Sequence, residues 1–129
     1  IIALILSPFF EELFYRSFLF SKLLTNYAPR TAIIIVSLCF ALTHFDLINI
    51  LPTFIYSVIA CLIYLKTKNI YYLLFIHFLN NFFIMLLNIY GEYVYPWIYD
   101  QQFGFTYWAL VSTGIVLIYF GVSKILKYK

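Results

Sequence analysis

The chain has 129 residues, of which 65% are hydrophobic and only 10% charged, with a mean hydropathy of +0.97 and a formal net charge of +3. A soluble domain carries about 25% charged residues and each membrane crossing takes roughly 20 residues, so these figures exclude a water-soluble enzyme with its own aqueous core. The basic residues stand at the ends of apolar runs and form no stripe, which excludes a nucleic-acid partner.

The expectation is an all-α fold, a polytopic transmembrane bundle of about five helices forming a single transmembrane domain over residues 1–129. Apolar runs predict spans near residues 1–20, 30–45, 47–65, 70–90 and 105–123. Ile1 opens inside an apolar run without the basic leader of a signal peptide, which reads as the core piece of a longer chain. Cys39 and Cys61 both fall in apolar runs without a Cys-x-x-Cys spacing, as small core residues do.

The first span carries Glu11, Glu12 and Arg16. A charged side chain at the bilayer centre costs roughly 2.5–3.5 kcal/mol on insertion scales, so these three must face protein or water. Ser7 and Pro8 read as a helix start or kink. At helical spacing Glu12 and Arg16 are i and i+4 neighbours and can pair, whereas Glu11 points about 100° away and is left available. The plain alternative is a packing pair with Glu11 snorkelling to the interface.

The breaks between spans alternate in charge. Lys22 to Arg30, Lys66 to Asn69 and Lys124 to Lys129 are basic, while Asp46 to Asn49 and Gly91 to Gly104 contain no basic residue. Seven of the eight basic residues thus fall on one side of a five-crossing chain, the side expected to be cytoplasmic. Asp46, Glu92 and Asp100 fall on the other, where Tyr93, Tyr95, Trp97 and Tyr99 in a predicted loop suit the membrane interface.

His44 ends the second run four residues after Phe40, and His77 and Asn81 share one face of the fourth. A lone membrane His is often only an interhelical hydrogen bonder. Two His, an Asn and a Glu pair on three spans point instead to one shared polar pocket, because each buried alone carries its own desolvation penalty. Counting the helical rise from the basic ends puts Glu11 ~14 Å, His77 ~11 Å, Asn81 ~16 Å and His44 ~21 Å deep, all inside a hydrocarbon layer of ~30 Å. Such a set can activate a water for attack on a peptide carbonyl, with the second His and the Asn amide donating to the oxyanion. The same Glu and His side chains can alternatively hold a zinc ion with an open water position.

Three segments carry a more specific signal: Glu11-Glu12-Leu13-Phe14-Tyr15-Arg16, Phe40-Ala41-Leu42-Thr43-His44 and His77-Phe78-Leu79-Asn80-Asn81. In order and placement they resemble the EExxxR, FxxxH and HxxxN motifs of the CPBP family, the CAAX proteases and bacteriocin-processing enzymes also called Abi. The resemblance covers roughly Ser7 to Asn88 and implies an all-helical intramembrane endopeptidase. It implies Glu11 as the water-activating base, His44 as its partner on that water, and His77 with Asn81 as the oxyanion site. Glu12 and Arg16 support the base, and Phe40 supports His44. Ser17 departs from the Gly that follows the Arg in many members, which bears only on local packing. Metal dependence has been described both ways for the family; if a metal is used, Glu11, His44 and His77 are the ligands and zinc the ion.

The implied partners are a peptide or protein substrate within or at the membrane, and the lipid bilayer itself. Richness in Ile, Phe, Tyr, Asn and Lys points to an AT-rich bacterial genome and a plasma membrane. Bacterial members are associated with bacteriocin processing or self-immunity. The competing reading is a noncatalytic immunity or peptide-binding scaffold that uses the same pocket; a transporter fits less well, since no inverted repeat is visible.

Overall fold

The computed structural model describes residues 2–44, 49–101 and 104–127. It contains α1 (residues 2–23), α2 (Pro29–Leu42), α3 (Ile50–Thr67), α4 (Ile70–Gln101) and α5 (Phe105–Lys127), and no strand among the described residues. Stretches of α3 (Ile50–Thr67), α4 (Ile70–Asp100) and α5 (Phe105–Lys124) are long and apolar enough to cross a bilayer, with mean hydropathies of 1.7, 1.8 and 1.7. α2 is apolar but only 14 residues long. Asp46 and Lys129, both used in reading the topology, lie outside the described residues. The chain divides into two compact units, Ile1–Phe78 and Leu79–Lys129.

In the first unit α2 packs along α3, and α1 lies against both. The contact stripes are set by spacing. On α2 the buried residues are Ala32, Ile33, Val36, Ser37, Phe40 and Ala41, and on α3 they are Ser57, Ala60, Cys61 and Ile63. These follow the three- and four-residue steps of a helix face, and the small side chains among them let the two backbones approach closely, as membrane helices require.

α1 buries Pro8, Glu12, Tyr15, Arg16 and Phe20. A strict four-residue step such as Glu12, Arg16, Phe20 drifts by ~40° per step on an ordinary α-helix. Here the turns over Leu13–Phe20 are widened to the π pattern, and the Ser21 hydroxyl donates to the carbonyl of Arg16, five residues back, at 3.2 Å. The wider turn opposes that drift. Such π segments are rare and concentrate at functional sites.

Short connections carry their own instructions. Pro29 opens α2 at a position where its missing N–H costs nothing. Lys68 ends α3 in the left-handed region at φ 52°, its N–H donating to the Tyr64 carbonyl at 2.8 Å. Asn69 then caps α4, its side-chain oxygen accepting the N–H of Tyr71 at 2.9 Å.

One element departs from expectation. The sequence predicts a loop over residues 91–104, yet α4 continues to Gln101 with Pro96 inside it. Membrane helices accept Gly and Pro that would end a soluble helix. Gly91 also has a local use, because the Tyr95 ring lies across it and a Cβ there would stand 2.5 Å from a ring carbon. Tyr93, Tyr95, Trp97 and Tyr99 are exposed along this continuation, so the aromatic fringe belongs to a helix end and not to a loop.

Candidate active site

Glu11, Glu12, Arg16, Phe40, His44, Ser57 and His77 belong to the first unit. α1 delivers both glutamates, and they are treated differently. Glu12 and Arg16 are each 0% exposed. Glu12 Oε1 receives Arg16 Nη1 at 3.2 Å and His77 Nδ1 at 2.8 Å. The Arg16 approach is an ion pair without aligned hydrogen-bond geometry, since Nη1 has no hydrogen-bond partner among the described residues; charge holds it, not a bidentate fork. Arg16 Nη2 donates to Ser57 Oγ at 3.1 Å. The guanidinium lies 4.5 Å from the centre of the Phe40 ring and 6.0 Å from that of Tyr56, where the aromatic faces attract a cation stripped of water.

Ser57 was invisible as a site residue in the sequence, where it is one small polar residue in an apolar run. Its hydroxyl now accounts for one guanidinium nitrogen, and a buried charged donor left unpaired costs about 1–3 kcal/mol. Ser57→Ala is therefore expected to lower unfolding free energy by that amount, read from thermal unfolding in detergent; an unchanged midpoint would show that Arg16 does not depend on it.

Glu11 stands at the edge of this cluster. Its side chain is 28% exposed, the Ser7 hydroxyl donates to its Oε1, and its Oε2 has no hydrogen-bond partner among the described residues. His77 is 4% exposed. With Nδ1–H given to the Glu12 carboxylate, its Nε2 faces Glu11 Oε2 at 3.8 Å, outside direct hydrogen-bond reach.

His44 lies in the turn two residues beyond α2 and is exposed. Its Nδ1 lies 2.9 Å from the Phe40 carbonyl. A carbonyl only accepts, so Nδ1 carries the proton and Nε2 keeps its lone pair. Tyr15 reinforces the same helix end, its hydroxyl 3.2 Å from Thr43 Oγ1, while Thr43 donates to the Phe40 carbonyl at 2.9 Å. Phe40 is the common floor: ring centres lie at 4.8 Å for His44, 5.1 Å for Tyr15, and 6.1 Å for both His77 and Tyr56. The structure thus gathers Glu11, Glu12, Arg16, Phe40 and His77, with His44 against the same ring. Asn81 lies in the second unit, one turn beyond His77 along α4, with its side-chain oxygen 3.5 Å from the Asn80 amide nitrogen.

The description Type II CAAX prenyl endopeptidase Rce1-like matches residues 1–83, a stretch that holds all three motifs. The chain belongs to the Rce1-like family. No curated protein and no solved structure matches it. Membership in the Rce1-like family supports a CAAX-type intramembrane endopeptidase in general, and the apolar helices agree with an integral membrane protein whose substrate is a peptide at the membrane.

A metal can be tested against the residues of this Rce1-like chain. A catalytic zinc takes three protein ligands and a water. Glu11 and His77 face one another, but no group of three or more His, Cys, Asp or Glu that could hold a metal forms among the described residues. Two approaching ligands do not make the site.

Proposed function

We propose that this chain hydrolyses a peptide bond within the membrane by means of a water that Glu11 activates. The supporting observation is the unequal placement of the two glutamates: Glu12 is fully buried against Arg16 and His77, whereas the Glu11 side chain is 28% exposed. Glu11 takes the proton of the water as its oxygen bonds to the scissile carbonyl carbon, and His44 holds that water through the lone pair on Nε2. The carbonyl π electrons move to oxygen. When His77 Nε2 also carries a proton, the Glu12 carboxylate balances the imidazolium, and Nε2–H with the Asn81 amide donates to the oxyanion. Collapse breaks the C–N bond, and the proton on Glu11 passes to the departing amine.

The roles of His44 and Asn81 rest on the motif spacing and on family membership. The same reading places the basic loops on the cytoplasmic side of a bacterial plasma membrane, with peptide or bacteriocin processing or self-immunity as the task. The test is mass-spectrometric detection of fragments after incubating the protein in liposomes with apolar peptides, prenylated and unprenylated, with and without a chelator. Cleavage is expected. A protein that binds these peptides and releases no fragment would be the noncatalytic immunity or peptide-binding scaffold instead.

A further inference from the structure

Behind Glu12 and His77 stands Tyr56 on α3, a residue outside all three motifs. Its ring centre is 5.3 Å from that of His77. Its phenol oxygen is buried and has no hydrogen-bond partner among the described residues, and the same holds for Glu12 Oε2. The Arg16 guanidinium lies 6.0 Å from the centre of the Tyr56 ring. A buried donor and a buried acceptor without partners among the described residues therefore belong to two side chains that both touch the same imidazole. Buried polar groups are satisfied in the great majority of cases, so this pair requires an account.

We propose that Tyr56 is a positioning residue, whose hydroxyl donates to the second oxygen of Glu12 so that carboxylate and ring together fix the His77 imidazole. The Arg16 guanidinium also carries buried donors without a hydrogen-bond partner among the described residues, Nε and Nη1. It is the poorer candidate, because the guanidinium is already held at Nη1 by Glu12 and at Nη2 by Ser57, whereas a phenol hydroxyl turns freely about its C–O bond. A carboxylate with donors on both oxygens cannot rotate away from His77 Nδ1. The flanking ring blocks tilting of the imidazole, so Nε2 keeps its direction toward Glu11.

This inference rests on the proposed peptidase site, and Tyr56→Phe separates the two because it removes only the hydroxyl. The expected result is a fall in kcat of about tenfold with KM unchanged, together with a lowered unfolding midpoint, because a buried carboxylate oxygen loses its donor. In protein labelled with 15N-histidine, the His77 Nδ1 proton resonance should shift and exchange faster with water. Tyr56→Leu, which removes the ring as well, should lower kcat further. An unaltered His77 resonance in Tyr56→Phe overturns the inference and leaves Tyr56 as packing. That resonance is read without any substrate, so it stands even if no peptide is cleaved and the peptidase reading itself fails.

Discussion

Glu11→Gln is expected to lower kcat/KM for peptide cleavage by ~10²–10⁴-fold, the contribution of a positioned general base, with little change in stability. The amide keeps the shape of the side chain, and its oxygen can still accept from Ser7. It cannot take a proton from water. Glu11 has no cation within hydrogen-bond distance among the described residues, so neutralising it orphans no opposite charge and the unfolding midpoint should hold. Cleavage by purified protein in liposomes, set beside thermal unfolding in detergent, checks both halves. Retention of more than a tenth of the activity would remove Glu11 from the chemistry and with it the proposed mechanism.

Arg16→Met carries the largest stability effect. It leaves Glu12 fully buried with its opposite charge removed, and breaking one partner of a buried pair costs about 3–5 kcal/mol. The unfolding transition in detergent should move down accordingly. The neutral double variant Glu12→Gln with Arg16→Met should recover much of the loss, since a well-packed neutral pair is often no worse than the ionic one. His77 keeps an acceptor in the Gln oxygen. A double variant no more stable than Arg16→Met alone, measured as a double-mutant cycle, would show that the two charges are not coupled.

The Glu12–Arg16 contact was legible in the sequence because it is local: four residues on one helix meet whatever the tertiary fold, and the contact is 3.2 Å. The availability of Glu11 follows from the same rotation. The five helices were legible through hydropathy, yet the end of α4 was not, because Gly91 and Pro96 carry opposite meanings in water and in lipid. The attachment of His77 to Glu12 joins residues 65 positions apart, and no local spacing contains it. Tyr15, Tyr56 and Ser57 escaped notice for a related reason. A hydroxyl in an apolar run gives no sign of which helix it will face, and its importance appears only once Arg16 and Phe40 are beside it.

The carbonyl of Phe40 serves two donors, Thr43 Oγ1 and His44 Nδ1. Fraying of α2 by its last turn would release both at once. The imidazole would then relax toward the Nε2–H tautomer that an unconstrained histidine favours, and a share of molecules would present an N–H where an incoming solvent molecule needs an acceptor. In the proposed mechanism, the winding of one helix terminus therefore sets the fraction of the population able to engage water at His44.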